Sequence, residues 1–367
     1  MDVRPLSVCA LVPYPPGTAP SQRFRLEQWR LHLEHEGIRL ELLPFVDRRL
    51  MALLHRPGAA LRKAGFVAAA VVRRAVEAAR VAAWDAVVVH RGACLLGPAV
   101  LERLIVTRRP LIFDFDDAIY LCDTSPANRR LGWLKWPHKT ATLCRISSHV
   151  TAGSAHLEAW ARRHTPHVTL VPSSIDTERY RPQPKPEGPG MVIGWMGSTT
   201  SQRHLEIFAP TIREAVARPG VELRVVSAAP PVLPGVRFAW RPWSAATEVE
   251  ELAGFDVGIM PMPDDAWSQG KCAMKALQYM GMGLATVASP VGATREVIEH
   301  GENGLLAASV GEWVEHLTAL RHAPAFRARL AAAGRKTVET RYSMRASAAA
   351  FGRATREAVA CWRGRSA

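Results

Sequence analysis

Four groupings of residues in this 367-residue sequence have the types and spacing that chemistry requires. In one, Lys271 follows a polar loop, Asp264 to Gly270, and precedes an apolar-periodic run to Met282 that carries Lys275 and Gln278. A lysine at the mouth of a helix adds its charge to the positive end of the helix dipole, which suits a phosphate. The plainer account of both lysines is ordinary solvated helix charge. In another, Gly197-Ser198-Thr199-Thr200-Ser201 is a small polar loop followed by Arg203, and its amides and hydroxyls could cradle a diphosphate. Asp114, Asp116 and Asp117 close one apolar run and His90 closes a second, a set suited to orienting a hydroxyl or its proton. Such carboxylates also suit a hard divalent cation, and Asp117 alone suits a helix cap. Last, Ser21, Arg23 and Arg25 project from a helix start, either to capture an anion or as surface charge.

The elements that must position these groups alternate between strand and helix. Apolar runs at Leu6 to Val12, Ile38 to Leu43, Ala86 to Val89 and Leu111 to Phe115 read as strands, as do Met191 to Met196, Val221 to Ser227, Val257 to Met260 and Leu284 to Ala288. Between the first two, Gln22 to Glu36 reads as an amphipathic helix with Phe24, Trp29, Leu31 and Leu33 inward and Gly37 as its stop. Alternation of this kind builds parallel sheets, and parallel sheets bind ligands beyond the carboxyl ends of their strands. His90, Asp116, Asp117, Gly197 and Lys271 all stand at such ends. A proline- and glycine-rich linker, Arg181 to Gly190, separates two halves. A loop, Asp123 to His138, is long enough to shape a ligand cleft, with Trp133 and Trp136 suited either to stacking on sugar faces or to the core, and Arg345 to Trp362 reads as a final helix.

The net charge of +14 predicts an anionic partner: a nucleotide, a phosphorylated acceptor or a membrane surface. Residues 48–81 concentrate it. Arg48, Arg49, Arg56, Arg62, Lys63, Arg73, Arg74 and Arg80 alternate there with Leu and Val, and Pro57-Gly58 splits the stretch into two helices. Such helices either pack with solvated arginines or lie on an anionic bilayer, with about 1 kcal/mol of attraction per basic residue near the surface. Zinc-finger, basic-zipper and RNA-recognition signatures are missing, which speaks against nucleic acid. The six cysteines have no CxxC or metal spacing and read as free thiols in a reducing cytoplasm. The amino-terminal apolar stretch is too short for a signal peptide and reads as the first strand.

The segment from Phe255 to Ala307 carries a resemblance. Ala276-Leu277-Gln278-Tyr279-Met280-Gly281-Met282-Gly283, Val287-Ala288-Ser289, Glu296-Val297-Ile298 and Gly301-Glu302-Asn303-Gly304-Leu305-Leu306 follow one another as in the carboxyl-terminal domain of GT-B glycosyltransferases of the retaining family 4. The Ser21, Arg23, Arg25 helix start is similar to that of one subgroup. The resemblance implies two Rossmann-like domains with parallel sheets facing an interdomain cleft. It implies sugar transfer from a UDP- or GDP-sugar to a hydroxyl, retention at the anomeric carbon, and no metal or other cofactor. It places the Val236 to Trp243 segment beside the nucleobase, so Trp240 and Arg241 become candidates for base contact. It implies that His90 and the Asp116-Asp117 pair face the transferring sugar. The family's paired glutamates correspond here to Gly270 and Gln278. Gln278 can still accept a hydrogen bond from a ribose hydroxyl, and Asp264 or Asp265 can cover the loss at 270.

The sequence therefore predicts an α/β protein. Residues 1–180 with a crossover helix at 346–367 form an acceptor domain, and residues 181–345 a nucleotide-sugar domain. Expected catalytic residues are His90, Asp116 and Asp117, and expected anion or acceptor contacts are Ser21, Arg23 and Arg25. Gly197, Ser198, Thr199, Arg203, Trp240, Arg241, Asp264, Gly270, Lys271, Lys275 and Gln278 are expected on the donor. The acceptor is expected to be lipid-linked, a saccharide or a small molecule, and the location cytoplasmic, peripheral at the inner face of the membrane. A non-catalytic nucleotide or sugar binder and a nucleotide-sugar 2-epimerase are the alternatives.

Overall fold

The computed structural model describes residues 4–54, 60–95, 97–121, 136, 138–185 and 190–366. Its strands form two sheets in two units, residues 1–173 with 344–367 and residues 174–343.

In the first unit, β1 (Leu6–Val12), β2 (Ile38–Pro44), β3 (Ala86–His90), β4 (Leu111–Phe115), β5 (His149–Ala152) and β6 (Val168–Leu170) are all parallel, in the order β2-β1-β3-β4-β5-β6. Helices cover both faces, so the strands are almost unbroken apolar runs. Val8, Ala10 and Val12 of β1 pack with Trp29, Leu33 and Phe351, the last from the terminal helix Met344–Ser366. The Trp29 and Phe351 rings lie 5.5 Å apart, and burying the Phe351 side chain stabilises by about 1.5–3 kcal/mol. The chain after β1 is not one helix. Pro20–Arg25, a 3-10 turn Glu27–Trp29 and Arg30–His35 follow one another. The break rotates the periodicity, and Leu31, expected inward, is 71% exposed. Because β2 and β3 flank β1 on opposite sides, the sheet's switch point lies at the carboxyl ends of β1 and β3.

The basic stretch forms helices Arg48–Leu54 and Ala60–Ala79, while Arg56 and Pro57-Gly58 lie outside the described residues. Arg74 departs from the expectation of an outward charge. It is buried, its Nη2 donating to the carbonyls of Leu43 (2.9 Å) and Val12 (3.2 Å), with Nη1 2.9 Å from Glu77. The Val12 carbonyl also accepts from the Phe45 amide at 2.8 Å, so the guanidinium adds a further donor at these strand ends. Leu61, Val71, Val72 and Val76 instead face outward.

In the second unit, β7 (Met191–Met196), β8 (Val221–Ser227), β9 (Ala239–Pro242), β10 (Val257–Met260), β11 (Ala285–Ala288) and β12 (Leu305–Leu306) are parallel, in the order β12-β11-β10-β7-β8-β9. The switch point here lies at the ends of β7 and β10. Helix Met274–Gly281 is fixed to both strands by Tyr279, whose hydroxyl accepts from the Met196 amide at 2.9 Å. Gly258 of β10 makes room for that ring, since a Cβ at 258 would fall inside it. The linker's residues 186–189 lie outside the description.

Candidate functional site

Each unit gathers charged side chains at its switch point. In the first unit the centre is Asp114, the fourth residue of β4, fully buried. Arg25 Nη2 donates to its Oδ1 at 2.5 Å, Thr151 Oγ1 to the same oxygen at 2.7 Å, and His90 Nδ1 lies 2.7 Å from Oδ2. Burial works to raise the Asp114 pKa, but Arg25 and the bond from His90 outweigh it and hold the pKa at about 2. An ionised carboxylate only accepts, so Nδ1 of His90 carries the hydrogen of that bond. The Nε2 of His90 lies 2.9 Å from Ser21 Oγ. Ser21 also hydrogen-bonds Asp116.

Arg91 completes this cluster. It follows β3 with φ of 63°, a left-handed conformation rare for a residue with a side chain. Its Nε and Nη2 donate to Asp116 Oδ1 at 2.9 and 2.7 Å, and Nη2 to Asp117 Oδ2 at 2.5 Å. Burial opposes ionisation of Asp116, yet Arg91, His90 and Arg25 keep its pKa below the usual carboxylate range. A cation on Asp116 and Asp117 would have to compete with a guanidinium already there. Arg25 is likewise committed, to Asp114 and the Val171 carbonyl, with its guanidinium over the Trp29 ring. Arg23 is half-buried over Phe24.

In the second unit the charges are mostly of one sign. Lys271 Nζ stands 4.9 Å from the Trp267 ring centroid, and Lys275 Nζ 5.6 Å from that of Trp195 on β7. His204, on helix Thr199–Ile207, is buried, and its pKa falls to about 4 because of burial and then the charges of Lys275, Arg203 and Lys271, against Asp265 alone. Three predicted cations thus act on one buried imidazole through their charge. Gln202 Oε1 and Ser268 Oγ, in the sequence segments beside them, are buried without hydrogen-bond partners. Gly197 and Ser198 lead into the helix, which begins at Thr199 rather than near Arg203, with Ser198 as its N-cap residue. The expected loop Asp264 to Gly270 contains a short helix, Ala266–Gln269, capped by Asp265, and the following helix starts at Met274.

The remaining expected residues scatter more widely. Asp264 is exposed and bonds Gln269. Gly270 is buried. Trp240 on β9 is half-buried, its Nε1 3.3 Å from Ser227 Oγ, and Arg241 is exposed. Gln278 is buried, its Nε2 donating to Glu248 Oε1 at 3.0 Å and to Tyr180 Oη at 3.3 Å. Tyr180 in turn donates to Glu248 Oε2 at 2.8 Å. A carboxylate therefore stands against position 278 although none occupies it. The acceptor-loop residues Trp133, Arg129 and Arg130 lie outside the described residues, while Trp136 is exposed. Sequence reasoning missed Arg91 as the partner of both aspartates, His204 and Glu248. Only Arg91 left a signal, its place directly after His90 at a strand end.

Residues 190–322 match the family described as Glycosyl transferases group 1, so a domain of that kind occupies most of the second unit. No curated protein matches the chain. Among solved structures, the chain is similar to Anabaena Alr3699/HepE in complex with UDP and glucose, with 15% identity, a TM-score of 0.67, and 96% of this chain and 99% of that one covered. Sucrose-phosphate synthase from Thermosynechococcus elongatus matches at 14% identity and a TM-score of 0.71, covering 97% and 100%. The lipopolysaccharide outer core galactosyltransferase WaaB matches at 11% and 0.63, covering 95% and 99%. The fold is GT-B.

Proposed function

We propose, from a group 1 glycosyltransferase domain on a GT-B frame, that this chain is an enzyme moving a sugar from a nucleoside-diphosphate sugar to an acceptor hydroxyl. The observation that carries the reading is that Arg203, Lys271 and Lys275, all within the matched residues 190–322, act on buried His204 through their charge, with Lys275 over Trp195 and Lys271 over Trp267. As the bond to the sugar breaks, negative charge grows on the departing diphosphate, and fixed cations beside helix amides stabilise it. Gly197, Ser198 and Thr199 then supply amides to the phosphates, Trp240 and Arg241 face the base, and Asp264 and Gly270 lie toward the sugar. Gln278, steadied by Glu248, accepts from the ribose. The HepE complexes with UDP and UDP-glucose favour a UDP-sugar over a GDP-sugar.

The acceptor belongs to the first unit, with Ser21, Arg23, His90, Asp116 and Asp117 toward it. Transfer retains the anomeric configuration, needs no metal, and is read from the product anomer by NMR. The exposed Leu61, Val71, Val72 and Val76, with Arg62, Arg73 and Arg80 on the same helix and turn, suit the anionic inner face of a membrane and a lipid-linked envelope acceptor. No described helix is long and apolar enough to cross a membrane. Thermal-shift measurements with UDP, GDP, ADP and TDP test the donor reading. UDP is expected to raise Tm, and Lys271→Ala to weaken its Kd by roughly 10- to 100-fold, the loss of a charge-assisted hydrogen bond. A chain that no nucleotide protects would overturn the reading.

A further inference from the structure

Gln278 stands where the resemblance calls for a glutamate, and an acid is found directly behind it. Glu248, Tyr180 and Gln278 are all buried, and their contacts leave one arrangement of hydrogens. A carboxylate only accepts, so the nitrogen of the Gln278 amide is the atom that meets Glu248 Oε1 at 3.0 Å. The Tyr180 hydroxyl gives its single hydrogen to Glu248 Oε2 at 2.8 Å and accepts the second amide hydrogen at 3.3 Å. Both hydrogens of Nε2 are thus used inward, and among the described residues no donor reaches Oε1. We propose that Glu248 is a positioning residue for the nucleotide: with Tyr180 it fixes the Gln278 amide with its oxygen outward, so that the pair reads the ribose hydroxyls and selects a ribonucleotide over a deoxyribonucleotide. The proposal rests on the nucleotide-sugar reading above.

A glutamine alone cannot enforce that choice. Its amide turns about the last side-chain bond and offers NH2 as readily as oxygen. Here the turned-over amide would set its oxygen against the Glu248 carboxylate, two acceptors in contact with no hydrogen between them, a cost paid in a buried site. The charge also reaches the outer atom. An amide that donates to an anion carries more negative charge on its oxygen, so Oε1 accepts more strongly than in an unsupported glutamine. Glu248 and Gln278 together then do what a glutamate at 278 would do alone, with the charge one bond further from the ligand. The frame around them is tied down. Arg179 Nη2 lies 3.4 Å from Glu248 Oε2, and Arg335 Nη1 donates to the carbonyls of both Tyr180 and Gly281, so one guanidinium holds the segments that carry residues 180 and 278.

Calorimetric Kd values for UDP and for 2′,3′-dideoxyuridine diphosphate, on the full chain and its variants, provide the test. Wild type is expected to prefer UDP by roughly 10-fold or more, the worth of a charge-assisted hydrogen bond. Glu248→Gln gives residue 278 an NH2 as well as an oxygen to face and lets its amide turn, and the preference is expected to fall to about threefold or less, mostly through weaker UDP binding. Tyr180→Phe is expected to reduce it by a smaller factor. Glu248→Gln combined with Gln278→Glu puts an acid at 278 against an amide at 248, and is expected to bring the preference back to within about threefold of wild type, a rescue that a merely structural pair would not produce. Selective 15N-glutamine labelling reads the amide without a ligand: the Gln278 Nε2 hydrogens are expected to be protected from exchange in wild type and unprotected in Glu248→Gln. A chain that binds UDP but shows no preference, a preference that Glu248→Gln leaves unchanged, or a folded double variant that does not restore it would overturn the proposal and leave the function reading standing. A wild-type chain that binds neither nucleotide would overturn the function reading, and the ribose assignment with it.

Discussion

The two switch points solve opposite electrostatic problems. At the end of β3 and β4, every charge named has a partner of the other sign within hydrogen-bonding distance: Arg25 with Asp114, and Arg91 with Asp116 and Asp117. At the end of β7 and β10, three cations act on one buried histidine against a single carboxylate. A compensated cluster is rigid and can hold a proton or a hydroxyl in place, because each group is fixed by the others. A field weighted toward one sign favours an anionic ligand. The difference is one of charge balance: one cluster is closed on itself, and the other is weighted toward cations.

The comparison breaks most visibly when a member of the compensated cluster is removed. Arg25→Ala leaves the Asp114 carboxylate buried with only His90 and Thr151 as donors among its described contacts. Loss of one partner from a buried ion pair costs about 3–5 kcal/mol, and chemical denaturation is expected to show that loss in the transition of the first unit. A destabilisation below about 1 kcal/mol would mean that the pair is not the fixed centre described here.

A subtler change tests the second unit. Gln278→Glu restores the residue that the resemblance calls for, yet places two carboxylates in contact, because Gln278 already donates to Glu248 at 3.0 Å. It is expected to lower stability by about 1–3 kcal/mol, the cost of a lost buried hydrogen bond and a like-charge contact. Glu248→Gln combined with Gln278→Glu returns one acid and one amide to the pair and is expected to recover most of that loss in a double-mutant cycle. Additive losses would show that residues 248 and 278 do not act as a pair.

How much of this was legible before the coordinates depends on distance along the chain. Strands declared themselves as short apolar runs, and the polar residues that end them marked both switch points. Lys271, Lys275 and Arg203 were recognisable because helix starts near strand ends attract anions whatever the exact pairing. The pairings themselves were not legible. Arg25 and Asp114 are 89 residues apart, and Ser21 and His90 are 69 apart, so no local pattern couples them. Arg74 misled because an arginine in an alanine-rich helix looks solvated, whereas strand-end carbonyls drew it inward. Leu31 misled because a 3-10 turn at Glu27–Trp29 broke a periodicity that the sequence carried smoothly. Glu248 stands in the first turn of a helix, where an acid is ordinary, so no pattern in the sequence marks it.

The smallest effect separates the two regions by pH and vanishes at neutrality. His204 has a native pKa of about 4, below the histidine value of 6.5, so the unfolded chain binds its proton more readily. Its contribution to stability is therefore complete above pH 6.5 and is lost as pH falls from 6.5 to 4. Asp114, at about 2 against 3.8, contributes fully above pH 3.8 and loses that contribution only between 3.8 and 2. His149 in the first unit also titrates low, because of burial, so the His204 share is read by difference from His204→Asn. That variant is expected to lose less stability than wild type between pH 6.5 and 4, with matching curves at pH 7 and above. Saturating UDP is expected to narrow the gap, since its phosphates offset Lys275, Arg203 and Lys271 and let the imidazole keep a proton. Superimposable curves for His204→Asn and wild type across that interval would mean that the three cations do not converge on His204, and the contrast between the two units would fail at its weaker end.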